Sequence, residues 1–571
     1  MQKYPYLNDF TLPVFDLQTT RKSPSAVMRG GGTAPYTPEK MQLAQGEDVI
    51  FDFGAETVGR FFFSAAPRGG AGGVRVVYGE FFEELFMYAD PPRADWYAFP
   101  TDAHAVAGAG QYPSAGRRAF RYVRILCGAA PVLLWDVFLR EQRYPVEERG
   151  RFNCSDEGLN EIWKICKRTT ALCMQQYYED GIKRDGLLWV SDARVQALCN
   201  YALFGDLELT RKSLKYFAMN QDCNGRIYTN AAIAGAHQHP DNIAYMFDYI
   251  TDPKKKENPD FYTGCGEIYY LSYAADFISM LHDYYVYSGD AALVRTLWSF
   301  AVRDAADLFG RRASPSQLLP PADADLQSGK YVDVLNYPAS FYAAALCALN
   351  DYRSLARLLG DDAQEQKGEM WRRFYTDILK NEFTAPDGTP FARTPGGETV
   401  YPHSLPAFGL MSGLLNADLA RQCFSALPGN PDAAPPTDGR MRYWVLRGMF
   451  EAGLEREALR EIRRFWGYMV EKGATTAWEK LDCNRPDIAE NDYLLSRCHG
   501  WSAGPADLFA RYLLGVRPVD AGYTRVVVKP DLCGLTYVEG RVPTVKGDIC
   551  VYADDRGTVR VKLPDGITLA E

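Results

Sequence analysis

The sequence has no apolar run close to the roughly 18 residues that cross a bilayer, and its N-terminus, MQKYPYLNDFTLPVFD, has no apolar signal-peptide core. These absences argue against a membrane protein and predict a cytoplasmic location. Positive charge is not in excess either, since the formal net charge is -9. Nucleic acid and anionic membrane surfaces are therefore not expected as partners.

The sequence also lacks paired-cysteine motifs and recognisable metal-binding motifs. The 13 cysteines are an odd number, no two of them form a Cys-x-x-Cys pair, and several, such as Cys166 and Cys199, lie in apolar patterns. This usage indicates small buried thiols of a reducing compartment, with neither a disulfide framework nor a zinc site. For His237 and His239 in AHQHPDN, which lack an identifiable third ligand, backbone-bonded loop histidines are favoured over a metal site.

Aromatic residues are plentiful, with 36 tyrosines and 10 tryptophans in 571 residues. Sugar-binding clefts use such rings, because their apolar faces stack on sugars while their polar edges form hydrogen bonds. A large core with tyrosine-rich edges explains the same composition. The length predicts about three or four domains at about 150 residues each.

The apolar pattern divides the chain into domains predicted at residues 1–148, 149–515 and 516–571. Runs such as DVIFDFG, GRFFFSA and PVLLWDVFLR, separated by Gly- and Pro-bearing turns, predict an N-terminal antiparallel β-sandwich. TRVVVKP, GDICVYAD and TVRVKLP predict a small C-terminal β domain.

The central domain is predicted to be helical, which makes the fold mainly α. Its first helix can be capped by Ser155 or Asp156 in NCSDEGLNEIWKIC. Pairs of amphipathic helices then meet at short glycine turns in YALFGDLELTRKSL, YYVYSGDAALVRTLW, LARLLGDDAQ, MSGLLNADLARQC and MFEAGLEREALREI. Their uneven spacing favours a closed ring of hairpins, an α/α toroid, over a solenoid of identical repeats.

The stretch YYEDGIKRDGLLWVSDARVQ is the first candidate for chemistry, because it crowds Glu179, Asp180, Asp185 and Asp192 beside a Leu-Leu-Trp run. No metal-ligand spacing, glycine-rich phosphate loop or serine nucleophile elbow accompanies them. Carboxylates beside aromatic rings suit glycosidic bond cleavage, which needs a protonated acid and an ionised base or nucleophile. Apolar neighbours and Asp180 are two means of raising the pKa of Asp185. An ordinary surface loop of ion pairs is the alternative.

Two further segments lie near the end of the helical region. Glu479 in GATTAWEKLD is a second carboxylate, with an ion pair to Lys480 or a nearby arginine as the alternative. In HGWSAGP, His499 suits a sugar hydroxyl and Trp501 suits stacking on a sugar ring, with helix packing as the alternative.

The motifs DGIKRDGLLWVSDA, GATTAWEKLD and HGWSAGP occur in the order and spacing typical of glycoside hydrolase family 78, and the sequence resembles these inverting α-L-rhamnosidases over nearly its whole length. The resemblance implies an (α/α)6 barrel flanked by β-sandwich domains. It also implies hydrolytic release of terminal α-L-rhamnose from small glycosides or oligosaccharides. No cofactor is implied, and a homodimer is one alternative for the assembly.

By this resemblance, Asp185 is the general acid and Glu479 is the general base that activates water. The residues expected to bind substrate are Asp180, Arg184, Trp189, Asp192, Trp478, His499 and Trp501.

Three positions depart from the family pattern: Asp185 replaces the usual glutamate, Gly186 the usual arginine, and Ser191 the common glycine. Ser191 and Asp192 have helix capping as an alternative role. Asp276, among apolar residues in SYAADFISML, is either a subsite contact or a capped polar group.

Two other functions are open. Polysaccharide lyases of family 27, which split rhamnose linked to glucuronate, look like relatives and need a cation for the uronate carboxylate, for which Lys183, Arg184 and the AHQHP histidines are candidates. A non-catalytic sugar-binding protein is suggested by Gly186 and by the aspartate at the acid position. Glu479 in TTAWE favours hydrolysis over elimination, and the presence of both Asp185 and Glu479 favours an enzyme over a binding protein.

Overall fold

The computed structural model describes residues 6, 9–87, 101–128, 130–183, 186–231, 270–310, 337–394, 396–483 and 495–570. Strands come first in the described chain, helices follow, and strands return at the C-terminal end. None of the helices in these ranges combines the length and the apolar character that a membrane span requires.

The N-terminal strands form a nine-stranded sheet whose strand pairs are antiparallel. Their bounds are β1 Gln18–Lys22, β2 Ala26–Arg29, β3 Gly32–Pro35, β4 Met41–Leu43, β5 Asp48–Pro67, β6 Gly72–Gly79, β7 Thr101–Val106, β8 Gly110–Cys127 and β9 Val132–Arg143. The runs DVIFDFG and GRFFFSA, expected as separate strands, are two parts of β5. A register shift between Asp52 and Thr57, with Gly54 at φ 78°, takes up the irregularity while pairing continues.

The core of this sheet is aromatic. Phe61 packs edge-to-face against Phe53, Tyr78 and Phe120, with ring centroids 6.3, 5.7 and 5.9 Å away. These side chains are almost fully buried. Large rings with restricted rotamers give the sheet a rigid centre, on which its edge residues are held in place.

Helices make up the middle of the chain. Their bounds are α1 Glu157–Cys173, α2 Val190–Leu203, α3 Glu208–Met219, α4 Leu271–Ser288, α5 Ala291–Ala305, α6 Pro338–Leu359, α7 Asp362–Glu382, α8 Ser404–Met411, α9 Ala417–Ala426, α10 Gly439–Glu451, α11 Glu455–Ile462, α12 Tyr468–Glu471 and α13 Pro505–Leu508. Short π-helical segments, Ala306–Gly310, Arg463–Gly467 and Phe509–Leu513, follow α5, α11 and α13.

The predicted helix starts and turns are confirmed. Asp156, the second of the two predicted caps, accepts a hydrogen bond from the backbone N–H of Leu159 at 3.2 Å. Each of the five predicted glycine turns joins two helices. Gly289 after α4 and Gly360 after α6 have φ of 74° and 69°, a left-handed conformation that ends a helix at little cost only in glycine.

Alternate helices pack side by side. Helix α2 packs against α4, α4 against α6, α6 against α8, and α8 against α10. The 3-10 turn Gly500–Ala503 and α13 contact both α10 and α2, so the series returns to its start. One buried apolar cluster runs through these helices.

Three smaller sheets contain the remaining strands. Strand β10 Arg151–Cys154, just before α1, joins a sheet with β16 Tyr537–Thr544, β17 Gly547–Asp554 and β18 Val559–Lys562. A second sheet contains β14 Val516–Pro518, β15 Arg525–Val528 and β19 Thr568–Leu569. A third contains β11 Ala392–Arg393, β12 Thr399–Pro402 and β13 Ala433–Ala434. The C-terminal strands are thus tied to the beginning of the helical region through β10.

Candidate active site

The loop after α1 is closed by Asp180, which is 4% exposed. The Asp180 backbone N–H donates to the Leu187 carbonyl at 3.0 Å, and the Leu187 N–H donates to Asp180 Oδ1 at 2.9 Å. The Tyr177 hydroxyl also donates to the Gly186 carbonyl at 2.9 Å. The predicted acid, Asp185, and Arg184 belong to this loop and lie outside the described residues, as do His237 and His239.

The buried His499 joins two distant parts of the sequence. Its Nδ1 lies 2.5 Å from the carbonyl oxygen of Asp180, 319 positions away in the sequence. Since a carbonyl only accepts, Nδ1 carries the proton in this hydrogen bond. Nε2 then faces Asp192 Oδ1 at 3.6 Å. Three of the predicted substrate-binding residues therefore meet at one imidazole ring.

Asp192 lies inside the first turn of α2, whose N-cap residue is Trp189. The alternative that Ser191 or Asp192 caps this helix is therefore wrong. The Ser191 hydroxyl donates to Asp276 at 2.5 Å, and Arg194 pairs with the other oxygen of Asp276 at 2.6 Å. Asp276 is thus a polar group whose oxygens are satisfied by Ser191 and Arg194, as the second alternative for this residue expects.

Glu479, 4% exposed, is held on both its backbone and its side chain. Its N–H donates to the Ser496 carbonyl at 2.9 Å, and the Ser496 N–H donates back to Glu479 Oε2 at 3.1 Å. The indole N–H of Trp501 donates to the Glu479 carbonyl at 3.1 Å. Lys480 Nζ lies 3.9 Å from Oε1, so the expected ion pair is present at long range.

Trp501 connects this carboxylate to the histidine, because its ring lies 4.3 Å from the His499 ring at an angle of 63°. Asp192, His499, Trp501 and Glu479 therefore form one contiguous buried series. Their order along the chain gives no hint of this adjacency, which the packing of α2 against the Gly500–Ala503 turn produces.

The two other predicted tryptophans are held by cations and aromatic rings. The Arg497 guanidinium lies 4.0 Å from the centre of the Trp478 ring. Trp189 packs edge-to-face on Tyr273 at 6.1 Å, and Arg440 lies 5.0 Å from the Tyr273 ring and 5.8 Å from the Trp501 ring. Such cation–π contacts fix ring planes and leave a positive charge beside them.

Sequence reasoning missed several residues of this region, namely Tyr273, Arg440, Arg497 and Asn230. Asn230 is 1% exposed and forms an antiparallel bridge with Trp189. Both polar atoms of its side-chain amide, and the indole nitrogen of Trp189, have no hydrogen-bond partner among the described residues. Unsatisfied buried polar groups are costly, which makes them candidate contacts for a polar ligand. No spacing signal in the sequence marks Asn230.

The ion pairs expected of a surface loop are present, but they are buried. Glu179 pairs with Arg117 at 2.5 Å, and both side chains are at most 5% exposed. Burial raises the pKa of Glu179, with Arg117 opposing that shift. Within the residues that the structure describes, no group of three or more His, Cys, Asp or Glu side chains is arranged to hold a metal ion.

Comparisons with known proteins find that parts of this chain are similar to bacterial α-L-rhamnosidases. Residues 147–249 match the bacterial α-L-rhamnosidase six-hairpin glycosidase domain, and residues 515–569 match the bacterial α-L-rhamnosidase C-terminal domain. An α-L-rhamnosidase of Alteromonas sp. (strain LOR) is 30% identical over 108 residues, which are 18% of this chain and 12% of that protein. The chain thus matches only a small part of this relative.

Solved structures match over much more of the chain. The family 78 rhamnosidase of Bacillus sp. GL1 has a TM-score of 0.75 at 22% identity, over 93% of this chain and 55% of its own. A Klebsiella oxytoca rhamnosidase with rhamnose bound has a TM-score of 0.73 at 20% identity, and the match covers 87% of this chain and 96% of that one. A Streptomyces avermitilis α-L-rhamnosidase complexed with L-rhamnose has a TM-score of 0.73 at 18% identity, and the match covers 97% of this chain and 50% of that one.

The chain therefore has the fold of these rhamnosidases, and residues 147–249 of its helical region are similar to part of a six-hairpin glycosidase domain. Its two matched domains are α-L-rhamnosidase-like, which confirms the predicted resemblance to glycoside hydrolase family 78.

Proposed function

We propose that the chain is an inverting glycoside hydrolase that releases terminal α-L-rhamnose from small glycosides or oligosaccharides. The observation that carries this proposal is the buried series Asp192, His499, Trp501 and Glu479, closed on its other side by Asp180. Inverting hydrolysis requires a general acid and a carboxylate base that activates water, and Glu479 is a buried, fixed carboxylate suited to the second role. The rhamnose in two of the similar structures supports the choice of sugar.

We further propose that the helices form an (α/α)6 barrel between β-sandwich domains, with boundaries at residues 1–148, 149–515 and 516–571. Support comes from the returning series of helix contacts, α2, α4, α6, α8, α10 and α13. The candidate residues lie before α2, in its first turn, and between α12 and α13, where that series closes.

In the proposed reaction, Asp185 donates its proton to the leaving oxygen while Glu479 takes a proton from water. The water oxygen bonds to the anomeric carbon on the face opposite the leaving group, so the configuration inverts. The Ser496 N–H on Oε2 and the Trp501 indole on the Glu479 carbonyl support this role, because they fix the carboxylate before substrate arrives.

The proposed sugar pocket uses Asp180, Asp192 and His499 for hydroxyl groups, with Arg184 retained from the resemblance. Trp189, Trp478 and Trp501 supply apolar faces for the sugar ring. Elimination in place of hydrolysis is disfavoured, since Lys183, one candidate cation for a uronate, is already paired with Glu80 and Glu84.

The test is product analysis with an aryl α-L-rhamnoside. Proton nuclear magnetic resonance during early turnover is expected to show β-L-rhamnose as the first anomer released. First release of the α-anomer, or an unsaturated uronate product absorbing in the ultraviolet from a rhamnose–glucuronate substrate, would contradict the proposal.

A further inference from the structure

Three described segments carry Asp180, Trp478, Glu479, His499 and Trp501 of the candidate site. We call them the acid loop (177–183), the base segment (475–479) and the histidine segment (495–501). The base and histidine segments contribute side chains to the buried series, and the acid loop contributes the backbone carbonyl of Asp180 that His499 binds. What holds the three segments in register with each other decides whether the proposed acid, base and sugar-binding groups line up.

A pair of glutamates that follows β6 of the N-terminal sheet lies between two of these segments; Glu80 comes directly after the strand and Glu84 is in the 3-10 helix Glu83–Phe86. Glu80 Oε2 accepts the backbone N–H of Arg497, in the histidine segment, at 2.8 Å, and lies 3.2 Å from Lys183 Nζ, in the acid loop. Glu84 binds the same ammonium group, and its other oxygen accepts the Glu80 N–H at 2.7 Å. One carboxylate thus joins both segments.

These three side chains, the carboxylate clamp (Glu80, Glu84, Lys183), are removed from solvent. The Glu80 and Glu84 side chains are 0% exposed and that of Lys183 is 9% exposed. Burial alone would lower the pKa of Lys183, but attraction to Glu84 and Glu80 outweighs it and raises that pKa. The lysine therefore stays charged and keeps both hydrogen-bond partners.

Strands of the N-terminal sheet also contact the acid loop and the base segment directly. Arg117 of β8 pairs with Glu179 of the acid loop at 2.5 Å. The backbone N–H of Glu56, in β5, donates to the Thr475 hydroxyl of the base segment at 2.9 Å. Each of the three segments therefore has a polar attachment to the N-terminal β region, and the attachment at Thr475 is only partly buried.

Stability is a weak explanation for such a cluster. Desolvation of a buried ion pair offsets much of its attraction, and apolar side chains of similar size often stabilise a protein equally well. Directional hydrogen bonds to a backbone N–H and a shared ammonium do something that apolar packing does not: they specify the position of two loops to a fraction of an ångström.

We propose that Glu80 and Glu84 are positioning residues for the reaction, and that the N-terminal sheet is through them a working part of the active site; this inference rests on the proposed function. They act through Lys183 and Arg497, which hold the acid loop and the histidine segment at the separation that catalysis needs. Misplacing reacting groups by about 1 Å costs on the order of 100-fold in rate.

The experiment compares Glu80→Gln and Glu84→Gln with a matched control, Asp102→Asn. Asp102 belongs to β7 of the same sheet and pairs with Arg118 at 2.8 Å, with side chains 4% and 14% exposed. Two readouts are taken on the full chain: hydrogen exchange of peptides covering 177–183 and 495–501, and kcat and KM for an aryl α-L-rhamnoside.

For both clamp variants we expect faster exchange in the two segments, kcat lowered by about 10- to 100-fold, and KM changed less than threefold. Asp102→Asn is expected to lower the thermal midpoint while leaving exchange in these segments and kcat at wild-type values. The triple variant Glu80→Gln/Glu84→Gln/Lys183→Met, neutral and similar in size, replaces the single variants if an unpaired buried Lys183 prevents folding, and the same losses are expected.

Clamp variants that lose thermal stability as Asp102→Asn does, yet keep kcat within twofold of wild type, would overturn the inference in favour of simple domain docking. Unchanged exchange in both segments would also overturn it. Wild-type protein without turnover on any rhamnoside would instead overturn the proposed function. The hydrogen-exchange measurement alone would then show whether the carboxylate clamp holds the two segments.

Discussion

Exchanging Glu479 for glutamine separates the chemical role of this side chain from its structural role. Glutamine has nearly the same shape, and its amide oxygen can still accept the Ser496 N–H that now binds Oε2 at 3.1 Å. The backbone carbonyl that receives the Trp501 indole is untouched. What the substitution removes is the negative charge and the capacity to take a proton from water.

The two effects differ in size. Weakening one hydrogen bond from charged to neutral costs about 1 kcal/mol of folding free energy. The Lys480 contact at 3.9 Å, to a side chain 33% exposed, contributes about 1 kcal/mol at most. Removing a general base costs about 100- to 10,000-fold in rate, which corresponds to a barrier higher by roughly 3–5 kcal/mol.

We therefore expect Glu479→Gln to lose at least about 100-fold in kcat, with a free energy of unfolding within about 2 kcal/mol of wild type. Initial rates on an aryl α-L-rhamnoside and urea denaturation measure the two quantities. Glu141→Gln, at a glutamate of β9 that is 5% exposed, is the control and should keep full activity. If Glu479→Gln retains more than a tenth of wild-type kcat, Glu479 is not the base.

Three further outcomes follow from the same contacts. Asp192→Asn removes the carboxylate facing the histidine and should raise KM for rhamnosides by about 10- to 100-fold, from the roughly 1.5–3 kcal/mol of a charged hydrogen bond; an unchanged KM in steady-state kinetics would exclude Asp192 from the sugar pocket. Arg117→Ala leaves the buried Glu179 without its cation and should lower the free energy of unfolding, measured by urea denaturation, by about 3–5 kcal/mol. Adding Glu179→Ala should recover part of this loss. A loss under about 1 kcal/mol would contradict the buried ion pair. Burial raises the pKa of Glu56 well above 4.5. The folded state therefore binds the proton of this carboxyl group more tightly than the unfolded state does. The stability that this proton contributes at low pH is lost as the pH rises from 4.5 through the folded-state pKa. Glu56→Gln should therefore raise the thermal midpoint at pH 8 more than at pH 4, and an equal shift at both values would refute the assignment.

Local signals in the sequence predicted the elements well where local physics decides them. The glycine turns between helix pairs and the Asp156 cap depend on a few neighbouring residues, and the structure has them as expected. The N-terminal strands were predicted too short, because continuous pairing of β5 with β8 and β9 carries the chain through the irregularity at Gly54. Pairing partners of that kind are not visible in a single stretch of sequence.

The candidate site divides in the same way. Motif spacing and the resemblance singled out Asp180, Asp192, Glu479 and His499, and the structure brings these four together. The capping role considered for Asp192 failed, since α2 starts three residues earlier than that role requires.

By itself, the sequence determined the residue types that the chemistry needs, the helical hairpins and the resemblance to α-L-rhamnosidases, because each is written in short-range patterns. Only the tertiary structure decided which buried charges face the site and which serve to hold it. Lys183 and Glu179 look like site residues in the sequence, yet Lys183 pairs with Glu80 and Glu84, which follow β6, and Glu179 pairs with Arg117 of β8. A buried charge is stabilised by its partner across space, and these partners are set by the packing of sheet against helices.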